Sequence, residues 1–460
     1  MPADREIDAR IEGVLKIEDI ITATGGQVIS SNAHAFSGVS IDSRSIRKGE
    51  LFIALKGTRF DGHAFLREAL LTGSGAIVTF PPAEPIEGKT IISVENTLKA
   101  LQQIARYIRL KKAIPLVGVT GSNGKTTTKE LIASILGSAY RVLKNTGNLN
   151  NHIGLPLTLS RIDEKDEAVV LEMGASGPGE IQELCEISLP DYGVLTNVSP
   201  SHLEGFKDMG TLRRTKLEIL NYVSVAVVNA DDSFLMEGIR ASGFKGKIVR
   251  YGITNDAEIY ATDINLHEKG ASFLLHIGKK TYFEVHPKIS GIFNIYNILA
   301  AVSVGHLFHI ELEKIKNIIN AFDSIPMRFE VKNIEGRQII SDVYNANPAS
   351  MEEAIKELVR IRKKKAVAVL GDMLELGSYA DEAHTKLVRW MSGLPVDIFI
   401  AIGPLMSSVA SEFPGKVYTF QNSLEARGSI WDICKEGDTV LIKGSRGMRM
   451  ERLLETSYVI

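Results

Sequence analysis

An apolar run that ends in glycines and a Gly-Lys-Thr triplet is the stretch of this sequence best suited to chemistry. Residues 114–120, IPLVGVT, precede a turn of small and polar residues: Gly121, Ser122, Asn123, Gly124, Lys125, Thr126 and Thr127. A segment compatible with a helix, residues 129–138, follows the turn. Backbone N–H groups of such a turn, and the positive end of the helix dipole that follows, converge on a polyphosphate. Lys125 would contribute a point charge, and the Thr126 hydroxyl could bind Mg²⁺. Val119 replaces the first glycine of the strict G-x-x-x-x-G-K-[ST] pattern, but the composition and order predict an ATP site.

Further polar residues follow this turn. Glu172 ends the apolar run 168–172, which is typical of a buried parallel strand. Ligands bind at the carboxyl edge of such strands, so we expect Glu172 to bind Mg²⁺ beside Thr126, with a capping or surface role as the alternative. The segment 145–156 is too polar for the core and predicts an ordered loop whose amide donors include Asn148, Asn150 and Asn151.

Four other residues are ambiguous from residue types alone. Ser43 and Arg44 could bind phosphate, but the local sequence favours a solvated turn. His202 precedes a turn and Lys216 follows two arginines. A hydrogen-bonded structural histidine and a lysine on a solvated helix face are the more common situations, so their roles stay open at this point.

The elements that must position these residues alternate between strands and helices. This rhythm predicts an α/β fold with mostly parallel sheets and crossover helices. Lys111-Lys112 and the Pro-containing segment 323–328 predict boundaries between three domains, 1–110, 111–325 and 326–460. Alternating residues near 257–290 predict a small antiparallel addition to the central domain. In the third domain we expect strands to begin near Gln338, Lys365, Val396, Lys416 and Thr439.

Composition excludes several function classes. A formal net charge of −2 gives no global field that would recruit nucleic acid or anionic lipid. Two cysteines are too few for a disulfide framework or a zinc site. The acidic N-terminal residues do not resemble a signal peptide, and no apolar run approaches the length of a membrane span. We therefore expect a cytoplasmic protein without a nucleic-acid partner.

Several strings, taken together and in order, make the whole chain resemble the Mur ligases of peptidoglycan synthesis. The general marks are GSNGKTT at 121–127, EMG at 172–174, and His202 with Lys216 downstream. Three further strings resemble the family member that adds D-alanyl-D-alanine: DVYNANP at 342–348, LGDMLELG at 370–377 and KGSRGM at 443–448.

This resemblance implies a monomeric enzyme that uses ATP and Mg²⁺. Its domains would be a small N-terminal α/β domain that binds UDP-sugar, a central P-loop ATPase and a C-terminal Rossmann-like domain. The reaction would join D-alanyl-D-alanine to the peptide carboxylate of UDP-N-acetylmuramoyl-tripeptide through an acyl phosphate, giving the pentapeptide. The alternatives are a Mur ligase or folylpolyglutamate synthetase that adds one amino acid, or a P-loop ATPase that couples hydrolysis to movement.

The resemblance also implies residue roles. Lys125, His202 and Lys216 would be catalytic. Thr126 and Glu172 would hold one Mg²⁺, and His202 with a carbamylated Lys216 would serve a second. Beyond the P-loop, the nucleotide would contact Asn294, Asn297, Arg328 and Asp342, and the UDP-sugar would contact Ser43, Arg44, Asn148, Asn150 and Asn151. The family usually carries His-Asn-x-x-Asn near adenine, whereas this chain has Phe293 in place of the histidine.

The dipeptide site is predicted at the edge of the third sheet. Arg446 can grip a carboxylate through two parallel N–H bonds, while Asn345 and Asn347 offer amides to the peptide bond that a single amino acid lacks. The alternative is that Arg446 and Lys443 pair with other domains or with ATP phosphate.

Overall fold

The computed structural model describes residues 15–58, 60–84 and 86–455. The acidic N-terminal residues, and the outer ends of the first and third predicted domains, lie outside these ranges. Within the described residues no helix is both long enough and apolar enough to cross a membrane. The chain forms three α/β units, each built on one main sheet, so the predicted α/β fold class is confirmed.

The N-terminal unit has a five-stranded sheet in the order β2-β7-β6-β5-β4, which is parallel except at the β2–β7 edge. Its elements are β1 Leu15–Lys16, α1 Ile17–Thr24, β2 Gln27–Ser30, β3 Ala35–Phe36, β4 Gly38–Ser40, β5 Glu50–Ile53, α2 Leu66–Thr72, β6 Gly75–Val78, β7 Thr90–Ser93 and α3 Thr97–Lys111.

The middle unit has a nine-stranded sheet in the order β16-β15-β14-β13-β12-β11-β8-β10-β9. The predicted antiparallel addition is confirmed as β14–β16, and the remaining pairs are parallel. Its elements are β8 Leu116–Thr120, α4 Lys125–Leu136, β9 Val142–Lys144, α5 Gly154–Leu159, β10 Ala168–Glu172, α6 Glu180–Ser188, β11 Tyr192–Leu195, α7 Leu203–Phe206, α8 Met209–Leu217, β12 Val225–Asn229, α9 Ser233–Ser242, β13 Lys247–Gly252, β14 Ile259–His267, β15 Gly270–Ile277, β16 Thr281–Val285, α10 Ile292–Leu307 and α11 Leu312–Ala321.

The C-terminal unit has a six-stranded sheet in the order β17-β18-β22-β19-β20-β21, which is parallel except at β17–β18. All five strands predicted for this unit are found within two residues of their expected starts. Its elements are β17 Glu330–Ile334, β18 Arg337–Asp342, α12 Pro348–Ile361, β19 Ala366–Gly371, α13 Ala380–Met391, β20 Ile398–Ile402, α14 Pro404–Ser408, β21 Lys416–Phe420, α15 Ser423–Arg427, α16 Ile430–Ile433 and β22 Thr439–Lys443.

Helix α3 joins the first two units. Its Tyr107 hydroxyl and Lys111 ammonium both donate to Asp19 of α1, at 2.8 and 2.7 Å. On its other side the buried Arg109 donates to the carbonyls of Ser188 and Leu189 and to Asp191 of the middle unit. One hydrophobic core runs through both units. The C-terminal unit has cores on the two faces of its own sheet and follows the connecting segment 322–329.

Candidate active site

A cleft of about 1120 Å³ lies between the middle and C-terminal units. Most of the predicted site residues line it: Ser122, Asn123, Gly124, Lys125, Thr126, Thr127, Asn148, Asn150, Asn151, Glu172, His202, Asn294, Asn297, Arg328, Asp342, Asn345, Asn347 and Arg446. Gly121 and Lys216 are buried and are not part of the lining. Ser43 and Arg44, in the N-terminal unit, are also outside it. The structure therefore brings together residues separated by more than 300 positions in the sequence.

The turn between β8 and α4 requires glycine at two positions. Gly121 has φ +141°, and a Cβ there would lie 2.0 Å from Thr196 Oγ1. Gly124 has φ +80°, and a Cβ there would lie 2.3 Å from Asn297 Oδ1. Helix α4 begins at Lys125, four residues before the helical segment predicted from the sequence, because the left-handed Gly124 serves as its N-cap. The N-terminus of α4 consequently opens directly onto the cleft.

Lys125 folds back over this turn. Its ammonium donates to the Gly121 and Ser122 carbonyls at 2.9 and 3.0 Å. Burial lowers the Lys125 pKa, against the opposing effect of the Glu172 carboxylate. Carbonyl acceptors are weak partners for a desolvated ammonium, so an anion in the cleft would compete well for it.

Glu172 is held by two elements and is 3 % exposed. The Thr126 hydroxyl donates to one carboxylate oxygen at 2.6 Å, and the Asn150 amide donates to the other at 2.8 Å. Within the described residues no group of three or more His, Cys, Asp or Glu side chains could hold a metal ion on its own. Mg²⁺ is commonly bound by one or two carboxylates together with substrate phosphates, so a hydroxyl and a carboxylate beside a phosphate turn fit this ion.

His202 and Lys216 lie on the other side of the turn. His202 has φ +53°, and its Nδ1 approaches the carboxylate of Glu375 from the C-terminal unit. This contact lowers the Glu375 pKa, mainly through the histidine hydrogen bond. The 1 % exposed Lys216 makes one long hydrogen bond, from Nζ to the Ala175 carbonyl at 3.4 Å, and its ammonium lies 5.5 Å from the centre of the Phe206 ring. Burial, followed by the charge of Lys125, lowers the Lys216 pKa to about 7.

The residues expected near adenine are held by hydrogen bonds within the middle unit. Asn297 donates to Asn294 Oδ1 at 3.1 Å and accepts from the Thr128 hydroxyl at 3.2 Å, while Asn294 donates to the Ser290 carbonyl at 2.7 Å. Phe293, which stands in the position of the family histidine, packs edge to face against Phe329 of the connecting segment at 5.2 Å. An apolar interdomain contact thus occupies the place of a polar side chain.

The C-terminal wall is largely preorganised. Asn347 caps α12 by accepting from the Ser350 N–H, and its amide donates to Asn123 Oδ1 of the P-loop at 2.7 Å. Lys443 is buried and donates to Asp342 at 2.5 Å and to the Asn345 carbonyl at 3.0 Å.

Two arginines of the C-terminal side also reach the cleft. The Arg328 guanidinium stacks 3.8 Å above the Tyr344 ring. Arg446 is half-exposed and pairs with Glu451 at 3.1 Å. In the N-terminal unit, by contrast, Arg44 is 81 % exposed and pairs with Asp42 at 2.7 Å. The ligands of these side chains stay predictions.

Sequence reasoning assigned no role to Glu375 or to Asn145. Glu375 lies within the LGDMLELG string that carried the resemblance, and its positive φ of +64° turns it toward the middle unit. Asn145 belongs to the same polar segment as Asn148–Asn151. The only available signal was membership of these two segments, since their contacts are made with residues distant in the sequence.

Comparison with protein-family models matches three stretches of the chain. Residues 35–109 match "Mur ligase family, catalytic domain", residues 119–305 match "Mur ligase middle domain", and residues 327–446 match "Mur ligase, glutamate ligase domain". The chain belongs to the Mur ligase family. The family resemblance predicted from the sequence is thereby confirmed.

Individual Mur ligases are similar over nearly the full length. The UDP-N-acetylmuramoyl-tripeptide–D-alanyl-D-alanine ligase of Bacillus subtilis is 35 % identical, covering 91 % of this chain and 92 % of its own. The crystal structure of MurF from Acinetobacter baumannii is 30 % identical with a TM-score of 0.89, covering 96 % of this chain and 98 % of its own. That of the Thermotoga maritima MurF ligase in complex with ADP is 31 % identical with a TM-score of 0.80, covering 91 % and 96 %.

Proposed function

We propose that this chain is an ATP-dependent ligase that joins D-alanyl-D-alanine to the peptide carboxylate of UDP-N-acetylmuramoyl-tripeptide. The observation that carries this proposal is the convergence on one cleft of the phosphate turn with the strings 342–348, 370–377 and 443–448. The similarity to ligases named for this reaction, and to one solved with ADP, supports it. We assign the UDP-sugar-binding domain to residues 1–110 and the ATPase domain to residues 111–325. The Rossmann-like ligase domain would be residues 326–460.

Amide formation in water needs an activated carboxylate. In this proposal the γ-phosphoryl group passes to the peptide carboxylate, which gives ADP and an acyl phosphate. The amine of D-alanyl-D-alanine then attacks the acyl carbon, and phosphate leaves from the tetrahedral intermediate. The work of the protein is to position two anions and neutralise their charge.

The residues around the P-loop suit this work. The N–H groups at the start of α4 would bind the β- and γ-phosphates, and Lys125 would exchange its carbonyl acceptors for phosphate oxygens. Thr126 and Glu172 would hold one Mg²⁺, with His202 and a carbamylated Lys216 serving a second. When bound, Mg²⁺ neutralises charge on the transferred phosphoryl group. The C-terminal unit covers the cleft and excludes water from the acyl phosphate.

The remaining predicted residues would bind the acceptor, D-alanyl-D-alanine, and the two ends of UDP-N-acetylmuramoyl-tripeptide. Ser43 and Arg44 would face the UDP portion, and the loop that carries Asn148, Asn150 and Asn151 would face the sugar peptide. Arg446 on the cleft rim would bind the dipeptide carboxylate, helped by Asn345 and Asn347. We also propose a monomer located in the cytoplasm, where ATP is available.

Phosphate release tests the assignment. Purified protein with ATP, Mg²⁺ and the UDP-tripeptide should release phosphate only when D-alanyl-D-alanine is added, and D-alanine or L-amino acids should be poor replacements. A site built for the peptide bond rejects analogues that leave its polar groups unpaired. Equal turnover with free D-alanine would favour a single-amino-acid ligase. Hydrolysis that needs no acceptor would instead favour a P-loop ATPase of another class.

A further inference from the structure

The side chain of Asn145 extends the pairing of strands β9 and β10 beyond the end of β9. Strand β9 ends at Lys144, and the next residue, Asn145, is 2 % exposed. Its side-chain oxygen accepts from the Glu172 N–H at 2.9 Å, and its amide donates to the Glu172 carbonyl at 2.9 Å. The same amide donates to the Leu149 carbonyl at 2.8 Å. One side chain thereby fixes the backbone on both sides of the Glu172 Cα and the loop that follows β9.

Lys129 anchors the backbone of this residue. It lies one turn after Thr126 on α4, and its side chain is 1 % exposed. Its ammonium donates to the Asn145 carbonyl at 2.6 Å and pairs with Glu130 at 2.9 Å. Glu130 is paired with Lys144 as well. Burying an ammonium costs free energy, so Lys129 needs the two acceptors that it has, the Asn145 carbonyl and the Glu130 carboxylate.

These contacts form a closed circuit around the reacting groups. Thr126 and Lys129 belong to the helix that receives the ATP phosphates. Asn145 and Asn150 belong to the loop proposed to face the sugar peptide, and Asn150 donates to the Glu172 carboxylate. Glu172 belongs to the circuit twice, because its carboxylate accepts from Thr126 and Asn150 and its backbone is bonded to Asn145. A displacement of any member would be transmitted to the others, because each side chain in the circuit is buried or half-buried.

We infer that Asn145 and Lys129 are positioning residues, which hold the Asn148–Asn151 loop at a fixed distance from the phosphate turn. They would set where the donor carboxylate meets the γ-phosphate without touching either group. This inference rests on the proposed function. It predicts that substitution of Asn145 or Lys129 weakens the productive binding of UDP-tripeptide more than that of ATP, because the ATP phosphates contact α4 itself.

Two substitutions test the inference. Asn145→Asp keeps the shape and the oxygen that accepts from Glu172 but loses both donated hydrogen bonds. Lys129→Met removes the donor to the Asn145 carbonyl, and Glu130 stays paired with Lys144. Gln338→Glu is a matched control, since this buried amide accepts from Thr439 in the C-terminal sheet, away from the cleft. All three are compared with wild type in kcat and KM for each substrate.

For Asn145→Asp we expect the KM for UDP-tripeptide to rise about tenfold or more, while the KM for ATP changes less than about threefold. Lys129→Met should show the same selectivity with a smaller rise. The increase in Tm caused by UDP-tripeptide alone, without ATP, should shrink in parallel, because ligand stabilisation follows affinity. The control should keep the wild-type KM values.

The outcomes separate the inference from the proposed function. A wild-type protein that releases no phosphate with the three substrates overturns the proposed function, whatever the variants do. If wild type is active, unchanged KM values in both variants, or a fall in kcat alone like that of a partly unfolded enzyme, overturn the positioning role. If Asn145→Asp does not fold, Lys129→Met decides the question by the same criterion.

Discussion

Lys216 should carry a carbamate in the active enzyme, and the structure gives this expectation a magnitude. A carbamate forms when a neutral amine attacks CO₂ and releases a proton, so the neutral fraction sets the rate. With a pKa of about 7, rather than the ordinary 10.5, roughly nine-tenths of the Lys216 amine is neutral at pH 8. At the ordinary value the fraction would be about 0.3 %, so the lowered pKa raises the reactive population roughly 300-fold.

Two other buried lysines are internal controls. Among the described residues the buried lysine side chains are those of Lys129, Lys216 and Lys443. Lys129 and Lys443 each donate to a carbonyl and pair with a carboxylate within 3.0 Å. Those partners stabilise the ammonium, whereas the described residues give Lys216 one long hydrogen bond, at 3.4 Å, and the face of the Phe206 ring at 5.5 Å, and no carboxylate partner. Carbamylation is therefore expected at Lys216 and not at Lys129 or Lys443.

The assay is carbon-13 NMR of the protein after incubation with labelled bicarbonate at pH 8. Wild type should show a carbamate carbonyl signal that Lys216→Ala lacks and Lys129→Met retains. Lys216→Ala should lose turnover and regain part of it with a short carboxylate such as acetate, which restores oxygen ligands. An absent signal in wild type together with full turnover in Lys216→Ala would refute the reasoning.

The pH dependence has a defined sign. As the pH falls through about 7, protonation of Lys216 competes with CO₂, so the carbamate signal and turnover should decline together and reversibly. The lowered pKa also means that the unfolded chain binds a proton that the folded chain lacks between about pH 7 and the ordinary 10.5. In that window the contribution of this residue to stability rises with pH, so the rise in Tm should be larger for wild type than for Lys216→Ala.

Three other substitutions test the cleft. Lys125→Met should abolish turnover while leaving the fold intact, since it removes a charge from the transition state and not an apolar side chain from the core; normal turnover would exclude the P-loop. Gly124→Ala should lower the stability by about 2–3 kcal/mol, through a left-handed alanine and a displaced Asn297, and should weaken ADP binding; unchanged denaturation and ADP titrations would contradict this. Arg446→Lys should raise the KM for D-alanyl-D-alanine more than that for ATP; the reverse would assign Arg446 to the nucleotide.

The sequence predicted those features that depend on neighbouring residues. Strand β10 has the predicted bounds because its apolar residues lie between polar loops. The start of α4 was predicted too late because the phosphate turn itself supplies the helix N-terminus, a property of the Gly124 conformation. The α/β class was predictable because strand-like and helix-like segments alternate, and each is recognised from the pattern of its own few residues.

Contacts across the cleft could not be predicted from neighbouring residues in the sequence. Asn123 and Asn347 meet only because the connecting segment places α12 over the P-loop. The approach of Glu375 to His202 depends on the same placement. Lys216 resembles a solvated lysine in the sequence, and only the packing of α8 shows that it is buried and short of partners. Tertiary packing determines these features, so residue type and spacing did not predict them.

The two-sided packing of α3 has a consequence for protein engineering. A chimera that takes its C-terminal unit from another Mur ligase, joined within residues 322–329, should fold, because the unit keeps both cores of its own sheet. A chimera joined near residue 110 should fold only if the donor helix also matches the surface formed by α5 and α6, where Gln102 and Arg109 bond to the middle unit. The C-terminal unit, proposed to bind the acceptor, is thus modular, whereas the first two units must be exchanged together.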